Sequence, residues 1–555
     1  NPDRSLILTE GEKKALKAHQ EGYDTVAIPG VWSWKEKTGA GTGDTDVIEE
    51  LDPFRWKDRT VYLCFDADAA VNEAVQTAEK SLARELTDRG ARVLIVRLPS
   101  EDLEKVGLDD YLVAEGTEAF DKLLGEAKPH PGTYFQDGFK PVLLAREMAT
   151  RDNYIYAKDT EEGGGRLHVY RDGVYRPAGC AEEQAQELLG DKARNTYVAE
   201  AAHMLARTCT TDIDRLNPDR DLVNVRNGLL NPFTEELQEH EPGHLTTIQI
   251  PTAWDPDAES ELLDRFLETT CGQWAEQICR LAGYLLLPRN VIKSMFVLLG
   301  PSNTGKTTLL NLIIGMLGER QCAEESLQAI CDTSRRFVTA NLEGKLLNVF
   351  DDMPEGYIED NAAIKVLTGG TPHIRVERKN EDPYYARNFC RHVYACNQLP
   401  RCSDKGSAWY NRITIFPFEN VLSEADKDEG LRERFASDKE LHRAMLAKAV
   451  RGLQRLREDD WQLDGSREAL EEYKAKNDSI MAFIQDCCDV GPGQDVKRTT
   501  FRKAYEQWCD RTGAYRVPTA KDIYDRVRRE ESFAEKTVRG SKYFSGLGLT
   551  EGGER

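Results

Sequence analysis

Residues 295–317 read MFVLLGPSNTGKTTLLNLIIGML. The apolar run 295–299 predicts a buried strand, 300–305 a turn rich in small residues, and 308–317 a helix. Strand, glycine loop and helix, in that order, make a phosphate cradle. The glycines let backbone amides close round an anion, and the helix N-terminus adds partial positive charge. Gly300, Pro301, Ser302, Asn303, Thr304, Gly305, Lys306, Thr307 and Thr308 are therefore the expected ATP contacts. Lys306 would reach the β- and γ-phosphates, and the Thr307 hydroxyl would ligate Mg²⁺.

Downstream stretches fit the same chemistry. Residues 345–350 form an apolar run that ends in Asp351 and Asp352, carboxylates placed to share the Mg²⁺ with Thr307 and to orient an attacking water. Asp352 is the expected metal ligand. Residues 392–396 predict a strand ending in Asn397, whose amide could sense the γ-phosphate. Arg412, just before the strand at 413–418, is placed to enter a neighbouring subunit's site, where such an arginine stabilises the transferring phosphoryl group.

The five segments GPSNTGKTT (300–308), LLNVFDDMPE (346–355), IKVLTGGTPHIRVERK (364–379), ACNQLPRCSD (395–404) and WYNRITIFPF (409–418) occur in this order. Together they resemble the superfamily 3 helicases, and most closely the phage and plasmid primase–helicase group that includes the poxvirus-type enzymes. The family usually carries an acid after the paired glycines of the third segment, where this chain has Thr371. The resemblance implies an AAA+-like ATPase core assembled as a hexamer round DNA. Arg412 would act in trans, and a basic hairpin carrying Arg378 and Lys379 would face single-stranded DNA in the channel. Asn227-Gly-Leu-Leu-Asn-Pro232 and Thr252-Ala-Trp-Asp-Pro256 resemble the helical domain that precedes this motor. The last unit resembles the family's winged helix, a duplex-binding module.

Ahead of the motor, residues 5–126 alternate short apolar strands (5–9, 25–28, 61–65, 92–98) with helices (12–20, 69–89), which predicts a small parallel α/β sheet. Residues 35–58, with the glycines at 39–43, read as an inserted loop. Glu10 ends the first strand, and Asp66 and Asp68 end a later one. Ligands gather at the C-terminal ends of parallel strands, so these carboxylates are expected to converge on Mg²⁺ or Mn²⁺. Asp109 and Asp110 fit a helix start as well as a metal site. These segments, with Gly30-Val-Trp-Ser-Trp34 and Gly107-Leu-Asp-Asp-Tyr-Leu112, resemble the TOPRIM-like domain fused to phage-type helicases.

Bulk properties limit the rest. The 96 acidic and 74 basic side chains give a net charge of −22, awkward for a nucleic-acid binder, so DNA contact must be local. Residues 497–542 reverse the trend, with 13 basic against 7 acidic side chains. Lys497, Arg498, Arg502, Arg526, Arg528 and Arg529 are the candidates for phosphate contact there. Thirteen cysteines without a Cys-x-x-Cys pair argue against a zinc ribbon in this stretch and fit reduced thiols. No run approaches the roughly 18 apolar residues of a membrane span. Without a basic-then-apolar leader the expected setting is cytoplasmic, in the bacterial or archaeal host of a mobile element. The first residue is Asn1 rather than methionine, so a natural N-terminal portion is expected ahead of it.

The expected architecture is α/β multidomain. A TOPRIM-like domain covers 1–127, with a linker after it, and a helical or mixed domain covers 139–285. The ATPase core covers 286–422, a helical connector 423–476, and a winged-helix-like DNA-binding domain 477–555. The leading expectation is an ATP-dependent ring helicase that replicates a phage, plasmid or other mobile element, with primer synthesis by the TOPRIM-like domain as an added capacity. Two alternatives stay open: a TOPRIM nuclease served by the motor in DNA defence or resolution, and an origin-binding initiator that does not unwind.

Overall fold

The computed structural model describes residues 4–37, 45–70, 72–99, 106–135, 138–158, 165–370, 373–379, 383–421, 430–512, 517–530 and 532–550. Thr371 and the glycines at 39–43 lie outside them. The chain divides into two compact units, one built mainly from the first 157 residues and 177–211, the other mainly from residue 212 onward.

The first unit holds a four-stranded parallel sheet in the order Thr25–Ile28, Leu6–Glu10, Thr60–Cys64, Arg92–Val96. Helices cover both faces, so the strands are apolar on successive residues rather than alternate ones. Leu6, Leu8, Val61, Leu63, Val93 and Ile95 face one core, with Leu82 and Leu86 of the helix Glu73–Asp88. Ile7, Cys64, Leu94 and Val96 face the other, with Leu112 and Phe120. The 35–58 loop carries a short antiparallel pair, Lys35–Lys37 with Thr45–Val47. Helices Pro141–Arg151, Cys180–Leu189 and Asn195–Thr208 pack round a separate small core in this unit.

The second unit is organised by a five-stranded parallel sheet. Its order is Cys322–Ala323, Leu347–Phe350, Arg391–Cys396, Met295–Leu299, Ile413–Pro417. All six residues of Arg391–Cys396 are buried, as the central position demands. Helix Lys306–Leu317 leaves the first strand and buries Leu309, Leu310, Leu312, Ile313, Met316 and Leu317. One continuous core joins that helix to Ala275–Leu286 and Lys439–Glu458. The limit expected at 286 therefore runs through packed side chains, and the one expected at 422 lies outside the described residues. The last two helices approach backbone to backbone at two glycines: a Cβ on Gly283 would lie 2.1 Å from the Ala449 carbonyl oxygen, and one on Gly452 2.5 Å from Cys279 backbone.

The C-terminal part of this unit runs helix Ser479–Cys487, strand Cys488–Lys497, helices Arg498–Thr512 and Ala520–Arg528, then strands Ala534–Val538 and Ser541–Leu549. The strands form an antiparallel sheet with Ser541–Leu549 in the middle. Sequence patterning does not mark the first strand. That strand carries Gly491, Pro492 and Gly493, has an irregular register between Val490 and Asp495, and is largely exposed, so it shows no alternating pattern. Among the described residues no helix is long and apolar enough to cross a membrane.

Candidate functional site

The glycine loop leaves the C-terminal end of Met295–Leu299, between the ends of Arg391–Cys396 and Ile413–Pro417. Successive strands run 295, 322, 347, 391 and then cross to the far side of 295 at 413, so the loop sits where the winding reverses. In open parallel sheets that crevice is where ligands bind. Asn303 at φ 65° and Gly305 at φ 82° take the left-handed conformation that folds the loop back on itself. Space also requires the glycines. A Cβ on Gly300 would lie 2.0 Å from the Phe418 carbonyl oxygen, and one on Gly305 2.6 Å from the Thr270 methyl. The Thr304 hydroxyl donates to the Pro301 carbonyl at 3.0 Å and closes the turn.

Lys306 is placed differently from a side chain waiting in solvent. Only 8% of it is exposed, and its ammonium donates to the carbonyls of Gly300 and Pro301, each at 2.7 Å, and to Thr304 Oγ1 at 3.3 Å. Burial lowers its pKa below the usual lysine range, opposed by Cys396, Asp351 and Asp352. The ammonium thus fills the loop's interior.

Thr307 Oγ1 donates to Asp351 Oδ2 at 2.6 Å. The carboxylate that meets the loop hydroxyl is therefore Asp351, where the sequence reading assigned the metal to Asp352. The cause is local: Asp352 has φ 54°, and its amide donates back to Asp351 Oδ1 at 3.0 Å. This turn ends the strand direction at Asp351. Asn397 follows the last residue of Arg391–Cys396, which pairs with Leu299 just before Gly300, and it is exposed at the same sheet edge. Arg412 is half-buried and donates through Nη1 to the Ala408 carbonyl at 2.5 Å, while its buried Nε has no partner among the described residues.

The basic candidates divide into held and exposed groups. Arg378 is bound by Glu343 at 2.5 Å and donates to Tyr384 Oη at 3.0 Å; Lys379 beside it is exposed. They follow the strand His373–Val376 of an antiparallel pair with Tyr384–Arg387. Arg526 is turned inward, onto Asp478 at 2.7 Å and Glu530 at 2.7 Å. Arg498 is likewise occupied by Glu535 at 3.0 Å and the Tyr524 ring at 3.7 Å, and Arg502 by Glu506 at 2.5 Å. Lys497, Arg528 and Arg529 are exposed, Arg528 with Asp525 at 2.9 Å. Glu343, Glu535 and Asp478 thus hold the partly buried Arg378, Arg498 and Arg526, whereas Arg502 and Arg528 are similarly exposed surface arginines with acidic neighbours, Arg528 having Glu535 at 3.3 Å as well as Asp525.

In the first unit Glu10, Asp66 and Asp68 do not form the expected cation site. Asp66 is 3% exposed and is paired with Lys14, a residue the sequence reading passed over. Its signal was its position, four residues after Glu10 in the opening turn of the helix Glu12–Gln20. Among the described residues no group of three or more His, Cys, Asp or Glu side chains is arranged to hold a metal. Asp110 accepts from the Gly107 amide at 3.1 Å and caps the helix Leu108–Ala114, so of its two readings the helix start is the one seen.

Comparison with known proteins adds a lineage to this geometry. The family "Domain of unknown function (DUF3854)" matches residues 1–119, "D5 N terminal like" 141–272, and "Family of unknown function (DUF5906)" 298–412. The chain is 29% identical over 166 residues to an uncharacterised protein of Picosynechococcus sp., covering 28% of this chain and 16% of that protein. It is 27% identical over 89 residues to a putative helicase of Invertebrate iridescent virus 6, covering 16% of this chain and 9% of that protein. The chain thus matches only a small part of either relative's length. Solved structures of the NrS-1 C terminal region align with 74% of this chain; one gives a TM-score of 0.43 at 13% identity over 100% of that chain, another 0.41 at 11% over 99%. The fold and site define a mixed α/β multidomain protein with parallel sheets. The D5 N terminal like match and the similarity to a viral putative helicase support a relation to the phage and viral primase–helicases.

Proposed function

We propose that this chain is the motor of a replicative DNA helicase, hydrolysing ATP with Mg²⁺ to separate the strands of a mobile element's DNA. The contact between Thr307 and Asp351 carries the reading. It joins a hydroxyl at the start of the loop helix to a carboxylate at the end of the strand Leu347–Phe350, the pair that Mg²⁺ takes from protein when nucleotide phosphates and water supply its other ligands. Lys306 would exchange the loop carbonyls for the β- and γ-phosphates, and Asn397 would report the γ-phosphate from the adjacent strand end.

The remaining assignments follow from this one. The crossing of the strand order at the glycine loop supports an AAA+-like superfamily 3 core. Arg412 is anchored by one Nη while its Nε is unsatisfied, which suits an arginine completed by another subunit, in a hexamer. The C-terminal order of helix, strand, two helices and two strands supports a winged helix, with Lys497, Arg528 and Arg529 on duplex phosphates. Lys379 would meet the single strand. The α/β sheet of the first unit supports a TOPRIM-like domain.

Strand displacement on a forked DNA substrate tests the proposal. ATP-dependent release of the labelled strand is expected, and an ATPase that binds origin DNA but releases no strand points to an initiator instead.

A further inference from the structure

The TOPRIM-like resemblance implies a divalent cation held by Glu10, Asp66 and Asp68. The donor set in this chain does not fit one. Asp66 is 3% exposed, and in the interior a lone carboxylate needs a counter-charge. Lys14 supplies it.

Lys14 is not a surface side chain that happens to fold over. It is 19% exposed and its stem lies across Gly107, where a Cβ would come within 2.7 Å of Lys14 Cε and 2.7 Å of Asp109 Oδ1. The residue beside Gly107 fixes that slot to the carboxylate loop, because the Ala67 amide donates to the Val106 carbonyl at 3.0 Å. One backbone hydrogen bond therefore locks together the loop that carries Asp66 and the glycine that admits Lys14. An ammonium in this slot occupies, with one positive charge, the space a divalent ion would need, and it repels such an ion.

We infer that Lys14 is the permanent counter-ion of Asp66. The sheet edge bearing Glu10, Asp66 and Asp68 then needs no divalent cation and conducts neither primer synthesis nor strand cleavage. The N-terminal unit serves this protein as a binding or scaffolding domain, and the chain's divalent-cation requirement resides at the nucleotide loop. Glu10 and Asp68 are each only partly buried and can be solvated where they stand, so neither requires a metal for charge balance.

The test uses the full chain without nucleotide, Mn²⁺ as the probe, and hydrogen exchange of residues 6–10 and 60–64 as the readout. In the parent, Mn²⁺ should leave exchange of both strands unchanged. Lys14→Met removes the ammonium from beside a buried carboxylate, so exchange there should accelerate on the order of 10²-fold, and Mn²⁺ should reverse much of that by taking the vacated position. Lys14→Met combined with Asp66→Asn removes both charges and should exchange like the parent, with no response to Mn²⁺. ATP hydrolysis should be unaffected in all three, which separates this inference from the helicase reading. Should Lys14→Met fail to fold, the parent and the double variant still decide the matter. Protection of the parent strands by Mn²⁺, lost in the double variant, overturns the inference. So does a Lys14→Met protein indistinguishable from the parent.

Discussion

Lys306→Ala separates the packing role that the structure shows for this ammonium from the catalytic role proposed for it. It donates to two loop carbonyls at 2.7 Å and one hydroxyl at 3.3 Å while 8% exposed. Charge-assisted hydrogen bonds of this kind contribute more than neutral ones, but the alanine leaves a hole that water can enter and solvate the carbonyls. The net loss of stability should be about 1–2 kcal/mol, a shift of a few degrees in the motor's melting temperature. Catalysis should suffer far more. A preorganised positive charge on the transferring phosphoryl group is worth roughly 3–4 kcal/mol, so turnover should fall by about 10³-fold or to background. Steady-state phosphate release and calorimetric melting of the same preparation measure both effects. Turnover within tenfold of the parent would refute the nucleotide-site reading. Loss of activity together with a collapsed melting transition would mean that Lys306 is a structural strut first.

Three further expectations follow. Because Asp351 and not Asp352 meets Thr307, Asp351→Asn should raise the Mg²⁺ requirement for ATP hydrolysis by tenfold or more on the scale of a lost metal ligand, and Asp352→Asn by less; Mg²⁺ titrations in the reverse order dismiss the assignment. Arg412→Ala should bind ATP yet hydrolyse it poorly, and mixing it with Lys306→Ala protein should recover part of the turnover if the arginine works across an interface; a monomer with full ATPase activity contradicts the ring. His392 is 1% exposed and burial holds its imidazole down at about 3, with Arg391 adding to the effect, so between about pH 6.5 and 3 the unfolded chain takes up a proton that the native motor does not. Stability should therefore fall with acidification, by about 1.4 kcal/mol per pH unit for this group, and His392→Gln should flatten the slope in urea titrations at pH 6.5 and 5.

DNA contact offers a contrast between neighbours on one helix. Neutralising Arg528 and Arg529, both exposed, should weaken duplex binding and lower its salt dependence by roughly one to two units of slope. Arg526→Gln should instead destabilise the C-terminal fold, since its guanidinium balances Asp478 and Glu530. Equal effects of both changes on binding alone would remove the distinction between held and exposed arginines.

Much of the proposed nucleotide site is legible in the sequence. A run such as 295–299 buried on both faces must be nearly all apolar, and a loop that needs left-handed backbone and close approach must carry glycine, so strand, loop and helix are written in adjacent residues. The same holds for the strands at 6–10, 25–28, 60–64 and 92–96, whose ends were placed within a residue or two. Local patterning cannot say which distant side chains meet. Asp351 and Asp352 are equivalent in sequence, and only the reversed turn at Asp352 sends the first of them to Thr307. Arg526, Arg528 and Arg529 look alike in a basic segment, and only the packing of Ala520–Arg528 on Asp478 separates them. The antiparallel strand Cys488–Lys497 escaped notice because an exposed edge carries no burial pattern. Asp66 with Lys14 shows the limit most plainly. Three acids at strand ends predict a cation by electrostatics, and tertiary packing supplied that cation from the protein itself. Charge balance in an interior is a property of neighbours in space, which a one-dimensional pattern of residues does not contain.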